Sequence, residues 1–377
     1  MSTAKLILQD PVLNTSIECN LNSIFTCRDI ATFIKSELNL TITPVLFCYF
    51  THLMAMELSS RTVVDGTKVY LPDDLTIAEI VEGLEHKEPA VVYFQHGDVS
   101  DSDLFLFRTD RFARCGYNIQ RLNSSHVLLG GGGLLGNEIA MNLATLGIGH
   151  LTIMDFGSVD WYNIYRQPLF AREDVYRPKT EVLSEKLGSW GNIRVWPVQI
   201  EVPCRSTLLT KDQLFRNIFD IDQLIQRCDI VVGAFDIVSA RATLQIIARY
   251  RNKPFLHVGL VPGGGEVTLY DGGEEGCYCC PWEGMTFVDG GACTLAPLEA
   301  QKIVGGLAIR FIVDRLSNHH TNVNRVSYLC NSLQITTSST GRNRRCSVCS
   351  NPRICESSIQ EVAEFVYNWL FPDSGLE

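Results

Sequence analysis

Long apolar runs are missing from this sequence. The greasiest stretch, IVGGLAIRFIV at 303–313, is too short to span a bilayer and carries Arg310, so no membrane-spanning segment is expected. The opening residues, MSTAKLILQDP, lack the basic region followed by an apolar core that marks an export signal. Positive charge is scarce: 32 Lys and Arg stand against 42 Asp and Glu, a formal net charge of −10. A chain this acidic repels a phosphate backbone, which argues against nucleic acid as a partner. Internal repeats and low-complexity linkers are absent as well. Cysteine, by contrast, is plentiful, with 14 in 377 residues. In a small secreted chain that count implies a disulfide scaffold. In a long chain without an export signal it implies reduced thiols, metal ligands or a nucleophile, and a cytoplasmic location.

Two rhythms divide the chain. Over residues 4–95 the periodicity gives KLILQDP and SIECNLNS as a strand hairpin, CRDIATFIKSELN as a helix, VLFCYFT and TKVYLP as strands, TIAEIVEGL as a helical turn and AVVYF as a closing strand. This predicts a small α+β domain over 1–97. The element order is that of a ubiquitin-like β-grasp, although a generic small α+β domain satisfies it too. No Gly-Gly tail follows Phe94, so a ubiquitin-like domain here is a built-in adaptor and not a conjugated modifier. The acidic DVSDSD (98–103) marks the boundary, and LFLFRTDRFARCGYNIQRL reads as a helix leading into a second domain over 104–377. There the strands HVLLG, HLTIMD, RVWPVQI, IVVGAFD and PFLHVGL alternate with helical segments at 137–146, 179–188, 219–227 and 239–250. Such alternation predicts an α/β, Rossmann-like, mostly parallel sheet with helices on both faces.

The chemistry begins after HVLLG. In GGGGLLG the frame Gly131-x-Gly133-x-x-Gly136 suits a tight turn, a close backbone approach and strand–helix packing. A helix starting near Asn137 aims its amides at a phosphate, and Asp155, at the tip of the next strand, is placed to bind ribose hydroxyls. Any nucleotide-binding Rossmann unit satisfies that much. The following residues discriminate. A dinucleotide site neutralises its pyrophosphate largely with backbone amides, whereas a triphosphate that will be cleaved needs cations and a metal. Arg166 and Gln167, then Lys179, then Asp236 stand in order after successive strands. Arg and Lys can hold β- and γ-phosphates, and Asp236 can hold Mg2+.

A second constellation is metal-like. Cys277 and Cys280 form one CxxC and Cys346 and Cys349 another, the usual spacing for tetrahedral structural Zn2+. Cys279 and Cys355 are competing ligands. The other cysteines, at 19, 27, 48, 115, 204, 228 and 330, read as core packing.

The ordered motifs GGGLLG, MDFGSVDWYNIYRQPLF, RPKTEVLSEKL, DIVVGAFDIVSAR, GCYCC and CSVC, spanning about Arg111 to Cys349, resemble the adenylation domain of ubiquitin-activating enzymes and their relatives in thiamin, molybdopterin and microcin biosynthesis. The resemblance implies ribose binding by Asp155, phosphate handling by Asn163, Arg166, Gln167 and Lys179, magnesium on Asp236 and a supporting role for Arg241. It also implies a homodimer in which an arginine of RFAR, Arg111 or more favourably Arg114, completes the partner's site. Zinc would pin the C-terminal tail to the sheet. Two departures stand out: Gly157 where many relatives carry a second acid, and Leu134 in place of a small loop residue. Cys293, in VDGGACTLAPLEAQKIVGGLAIRFIV, resembles the thioester cysteine of the autophagy-type activating enzyme, with Thr294 and the following helix offering groups that stabilise a thiolate.

The implied function is ATP-dependent activation of the C-terminal carboxylate of a ubiquitin-like protein ending in a Gly-Gly-type sequence, as an acyl-adenylate. Transfer to Cys293 and then to a conjugating enzyme would follow. Three alternatives stay open: an adenylyltransferase acting on a sulfur carrier or peptide and stopping at the adenylate, a non-catalytic nucleotide-binding scaffold, and an NAD(P)-dependent oxidoreductase. The last leaves the RQ pair and the cysteine knuckles without a role.

Overall fold

The computed structural model describes residues 3–10, 15–22, 25–38, 45–49, 63–65, 68–71, 75–83 and 90–95, then 109, 112–113, 115–190, 193–273, 275–282, 289, 296–319, 323–350 and 355–372. The chain divides into two compact units, Met1–Phe107 and Arg108–Glu377.

In the first unit, β1 (Thr3–Asp10) and β2 (Thr15–Asn22) pair antiparallel, with Leu6 opposite Cys19. Leu6 and Leu8, two residues apart, both enter the core. Helix α1 (Cys27–Glu37) starts at a capping box: Thr26 Oγ1 accepts from Asp29 N, and the Asp29 carboxylate accepts from Thr26 N. Its Cys27, Ile30, Ala31 and Ile34, at helical spacing, are buried with Leu6, Val92 and Phe94. Next come β3 (Val45–Tyr49), β4 (Val63–Asp65), β5 (Lys68–Tyr70), α2 (Ile77–Gly83) and β6 (Ala90–Gln95). The last strand returns to lie parallel to β1, giving the order β2-β1-β6-β3-β5-β4. The sequence pattern did not show β4, whose three residues are too few for alternation to register.

The second unit opens with α3 (Ile119–Ser124), capped by Asn118, whose side chain accepts from Arg121 N. Within LFLFRTDRFARCGYNIQRL the described residues Thr109, Phe112 and Ala113 are also helical, and a turn at Cys115–Gly116 separates them from α3. There follow β7 (His126–Gly130), α4 (Leu134–Leu146), β8 (His150–Met154), α5 (Trp161–Ile164), α6 (Lys179–Gly188) and β9 (Arg194–Val198). Then come α7 (Lys211–Arg227), β10 (Ile230–Gly233), α8 (Val238–Tyr250), β11 (Phe255–Val261) and β12 (Gly264–Tyr270). The unit closes with α9 (Leu298–Leu316), β13 (Arg325–Leu329), β14 (Gln334–Ser338) and α10 (Ile359–Leu370).

The sheet order is β14-β13-β12-β11-β10-β7-β8-β9. Strands β11, β10, β7, β8 and β9 run parallel, as expected. Strands β12 to β14 extend the sheet antiparallel, an addition the sequence reading lacked. Side chains alternate across the sheet: Val127 and Leu129 join the core under α4, α6 and α9, and Leu128 joins the one under α7, α8 and α10. Burial on both faces explains why the central strands are apolar throughout. Among the described residues no helix is long and apolar enough to cross a membrane.

Candidate nucleotide site and cysteine cluster

The chain winds outward from β7 through β8 to β9, then crosses back to lay β10 on the other side of β7. Such a reversal opens a crevice at the carboxyl ends of the strands. A cavity of about 830 Å³ lies there, lined by Gly131 and Gly133 after β7, Asp155 after β8, Asn163, Arg166 and Gln167 around α5, Lys179 at the start of α6, and Asp236 after β10. Gly136 sits behind the turn, in the first turn of α4.

The glycine loop is built by close contact. Gly131 has φ +100°, and its N–H donates to Met154 O at 2.8 Å. A Cβ on Gly136 would lie 1.9 Å from Gly131 O, so the backbone of α4 rests directly on the turn. The loop ends at Gly133, which starts α4 with no side-chain cap. A Cβ there would meet nothing within 4 Å, so the helix start faces open cavity, an arrangement that suits an anion. Asp155 ties the loop down: Oδ2 accepts from Gly132 N and Oδ1 from Gly157 N, each at 2.7 Å. A side chain at Gly157 would press on Asp155, its Cβ 3.1 Å from Oδ1. Leu134 is 8% exposed and packs into the core, so it does not crowd the turn.

Around α5 the chain presents its polar groups by local capping. Asp160 N donates to Asn163 Oδ1 at 2.8 Å, and Asn163 O accepts from both Arg166 N and Gln167 N, at 3.1 and 2.8 Å. The Gln167 side chain is buried, and its Oε1 has no hydrogen-bond partner among the described residues. An orphaned buried acceptor beside an uncapped helix start fits a site completed by a ligand. Lys179 opens α6 with its amide donating to Gly157 O at 3.0 Å.

Arg241 follows the lining residue Ala240 on α8 but does not itself line the cavity. It is 9% exposed, with Nη1 3.3 Å from His257 Nδ1 and the guanidinium 5.6 Å from the Tyr278 ring centroid. A guanidinium only donates, so Nδ1 accepts, and Nε2 carries the proton toward Glu266 Oε1 at 3.2 Å. Burial holds the His257 pKa down to about 4, leaving it neutral, and the hydrogen bond from His257, reinforced by Arg325, holds Glu266 at about 2. His257 was invisible in PFLHVGL because a strand pattern does not show which polar residue finds a buried partner.

The second cluster joins distant parts of the chain. Sγ of Cys277 lies 3.8 Å from that of Cys280 and 3.6 Å from that of Cys346, and Sγ of Cys280 lies 3.3 Å from that of Cys349. All four are buried and their sulfurs lie within 4.8 Å of one another. Tetrahedral Zn–S bonds of about 2.3 Å place sulfurs about 3.8 Å apart, so these residues fit the metal. Contact with Cys279 and the other thiols raises the Cys277 pKa, while the hydrogen bond from Cys277 lowers that of Cys280. Sulfurs packed this closely cannot all ionise unless a cation sits among them. The competing ligands fall away: Cys279 is buried outside the four, and Cys355 is exposed, its thiol donating to Arg249 O. Cys115 is exposed, against the core reading of its neighbourhood.

Residues 109–351 match the model of the ThiF family. The chain belongs to the ThiF family. It is thereby a member of the ubiquitin-activating-enzyme-like adenylation superfamily, whose members are ATP-dependent adenylyltransferases and activating enzymes. This ThiF-family chain is 29% identical over 202 residues to the Sulfur carrier protein ThiS adenylyltransferase of Escherichia coli, covering 50% of this chain and 75% of that protein. It is 25% identical over 252 residues to the Adenylyltransferase and sulfurtransferase MOCS3 of Xenopus laevis, covering 62% of this chain and 50% of that one. It is 28% identical over 167 residues to the Ubiquitin-like modifier-activating enzyme ATG7 of Kluyveromyces lactis, covering 43% of this chain and 28% of that one. Among solved structures, the microcin C7 biosynthetic enzyme MccB has a TM-score of 0.52 at 21% identity, covering 66% of this chain and 74% of that one, a likeness of fold. Of the residues that the sequence pattern named, Arg111, Arg114, Cys293 and Thr294 lie outside the described residues of this ThiF-family chain.

Proposed function

We propose that this ThiF-family chain uses ATP to activate the C-terminal carboxylate of a ubiquitin-like or sulfur-carrier protein with a Gly-Gly-type end. The observation that carries the proposal is the cavity itself: an uncapped helix start, two cations, Arg166 and Lys179, and two carboxylates, Asp155 and Asp236, converge on it. The carboxylate class follows from the relatives, one named for the sulfur carrier ThiS and another as a ubiquitin-like modifier-activating enzyme. In the reaction a carboxylate oxygen attacks the α-phosphorus. The bond to the bridging oxygen breaks, and pyrophosphate leaves with the electron pair. The α4 amides, Arg166, Gln167 and Lys179 hold the phosphates where negative charge shifts toward the leaving group. Asp155 orients the ribose. Asp236 would hold Mg2+, which screens the phosphate charge when bound.

Four further assignments belong to this reading. The cysteine cluster holds structural Zn2+. The first unit is a β-grasp adaptor, supported by its hairpin, the 11-residue helix α1 and the parallel β1–β6 pair. The chain acts as a homodimer in which Arg114 reaches the partner's cavity. The activated acyl group passes to Cys293 as a thioester for delivery to a conjugating enzyme, with the adenylate-only route of the sulfur-carrier relatives as the alternative.

The test is ATP–pyrophosphate exchange with a panel of small proteins ending in Gly-Gly. One of them should support exchange, and Asp236→Ala should abolish it while leaving the fold intact. Exchange at the wild-type rate in Asp236→Ala would overturn the site. Mixing Asp236→Ala with Arg114→Ala subunits should restore part of the exchange, and no recovery after verified subunit exchange refutes the shared site.

A further inference from the structure

Two buried carboxamides clamp the glycine loop to the Arg166 segment. Asn137 is 0% exposed. Its Nδ2 donates to Gly132 O at 3.0 Å and Gly133 O at 3.2 Å, and its Oδ1 accepts from Leu169 N at 3.1 Å. Only one orientation of the amide serves two carbonyls and one N–H, so the network fixes it. Gln301, 1% exposed in the first turn of α9, donates from Nε2 to Leu134 O at 3.4 Å and Arg166 O at 3.3 Å. Each carboxamide therefore touches the loop-and-α4 junction on one side and residues 166–169 on the other. The partners of Gln301 lie 167 and 135 residues away in sequence.

We propose that Asn137 and Gln301 are positioning residues that set the distance between the Arg166 guanidinium and the phosphate loop, and so adjust the cavity to a nucleoside triphosphate. This rests on the proposed role of Arg166 toward ATP. Neither side chain lines the cavity, so both act through the backbone they hold. The consequence is selective. Loosening the clamp frees Arg166 from register with the loop, while the ribose side, held by two further hydrogen bonds in which Asp155 accepts from Gly132 N and Gly157 N, stays in place. Triphosphate affinity should fall and monophosphate affinity should not, a split that a general loss of packing does not produce.

The experiment is a binding cycle by calorimetry on the full chain, with ATP plus Mg2+ and with AMP as the two probes. Gln301→Met fills the same volume without the donor and is expected to weaken ATP about tenfold while leaving AMP within about twofold. Arg166→Ala should do the same, and Gln301→Met combined with Arg166→Ala should be no worse than Arg166→Ala, because both act through one group. Asn137→Asp, which keeps the acceptor for Leu169 N but turns an oxygen toward two carbonyls, is the second variant and should show the same ATP-over-AMP loss. Equal losses for ATP and AMP, additive losses in the double variant, or wild-type ATP affinity in folded Gln301→Met each overturn the clamp. A wild-type chain that binds no ATP overturns the clamp and the functional reading together. A chain that binds ATP and passes the cycle, yet supports no pyrophosphate exchange, sinks the functional reading alone.

Discussion

Substituting alanine for Gly136 tests whether close packing of α4 on the loop is what shapes the phosphate site. The added methyl would lie 1.9 Å from Gly131 O and 2.9 Å from Gly131 C, where ordinary contact starts at 3.4 Å. Relief requires a displacement of about 1.5 Å, and neither side yields easily. Gly131 is held by its hydrogen bond to Met154 O, and the adjoining Gly130 O accepts from Ala234 N at 2.8 Å. Helix α4 is held by α9 through the Lys302–Glu138 ion pair at 2.5 Å, whose carboxylate is 6% exposed. The next residue along α4 is Asn137, so any shift also strains its three buried hydrogen bonds. Overpacking of this kind costs about 1–3 kcal/mol, and weakening a buried hydrogen bond adds about 1 kcal/mol. A loss of about 3 kcal/mol in urea denaturation is therefore expected, with ATP affinity down at least tenfold by calorimetry. Gly133→Ala is the matched control. Its methyl meets no atom within 4 Å and its φ is −80°, so stability should change by less than about 0.5 kcal/mol while ATP, which needs that space, binds less well. The reasoning fails if Gly136→Ala keeps wild-type stability and ATP affinity, or if Gly133→Ala is equally destabilised.

Elemental analysis should find about one zinc per chain, and Cys346→Ser should lose metal and solubility together; a stable, metal-free wild-type chain ends the zinc assignment. The buried neutral His257 links stability to pH. Its folded pKa, about 4, lies below the ordinary 6.5, so its contribution is complete above pH 6.5 and is lost as pH falls toward 4, by on the order of 2–3 kcal/mol. Glu266, held at about 2, adds a further loss only below about pH 4.5. Thermal melts of wild type and His257→Gln should therefore diverge in slope between pH 6.5 and 4.5, and parallel curves refute the neutral buried imidazole. With ATP and carrier, a covalent species sensitive to thiol reductant is expected on a non-reducing gel. Cys293→Ala should remove it yet keep pyrophosphate exchange, and an adduct that persists, or never forms while exchange proceeds, assigns the chain to the adenylate-only route.

What was legible in the sequence was what local geometry dictates. Gly131 and Gly136 stand where φ +100° and a 1.9 Å approach exclude a side chain, so the glycine spacing itself announces the loop. The paired CxxC motifs are visible because their spacing is that of a four-ligand site, not because the two halves are near in sequence, and the structure brings all four sulfurs together. Asp155, Arg166, Lys179 and Asp236 were found by their order after successive strands, which a doubly wound sheet turns into proximity. Asn137, Gln301 and His257 escaped because their chemistry lies in who receives the hydrogen bond, and those partners are 9 to 167 residues away except within the loop itself. The antiparallel strands were missed for another reason: β14, QITTS, is exposed along its whole length, so no core-facing alternation marks it.

The cysteine cluster sits at the antiparallel end of the sheet. One knuckle follows β12 and the other follows β14, so a metal held there would staple the antiparallel edge, whose last strand is exposed throughout, while the central strands β7 and β10 are almost wholly buried. Stability is then graded along the sheet, and the order of failure is set in advance. A chelator or an oxidant reaches the edge before the centre. If the cluster holds zinc as proposed, hydrogen exchange should open β13 and β14 first and faster still after chelation, while β7 and β10 exchange only on global unfolding. With zinc bound there as proposed, its withdrawal would loosen this edge of the sheet long before it disturbed the cavity at the strand ends.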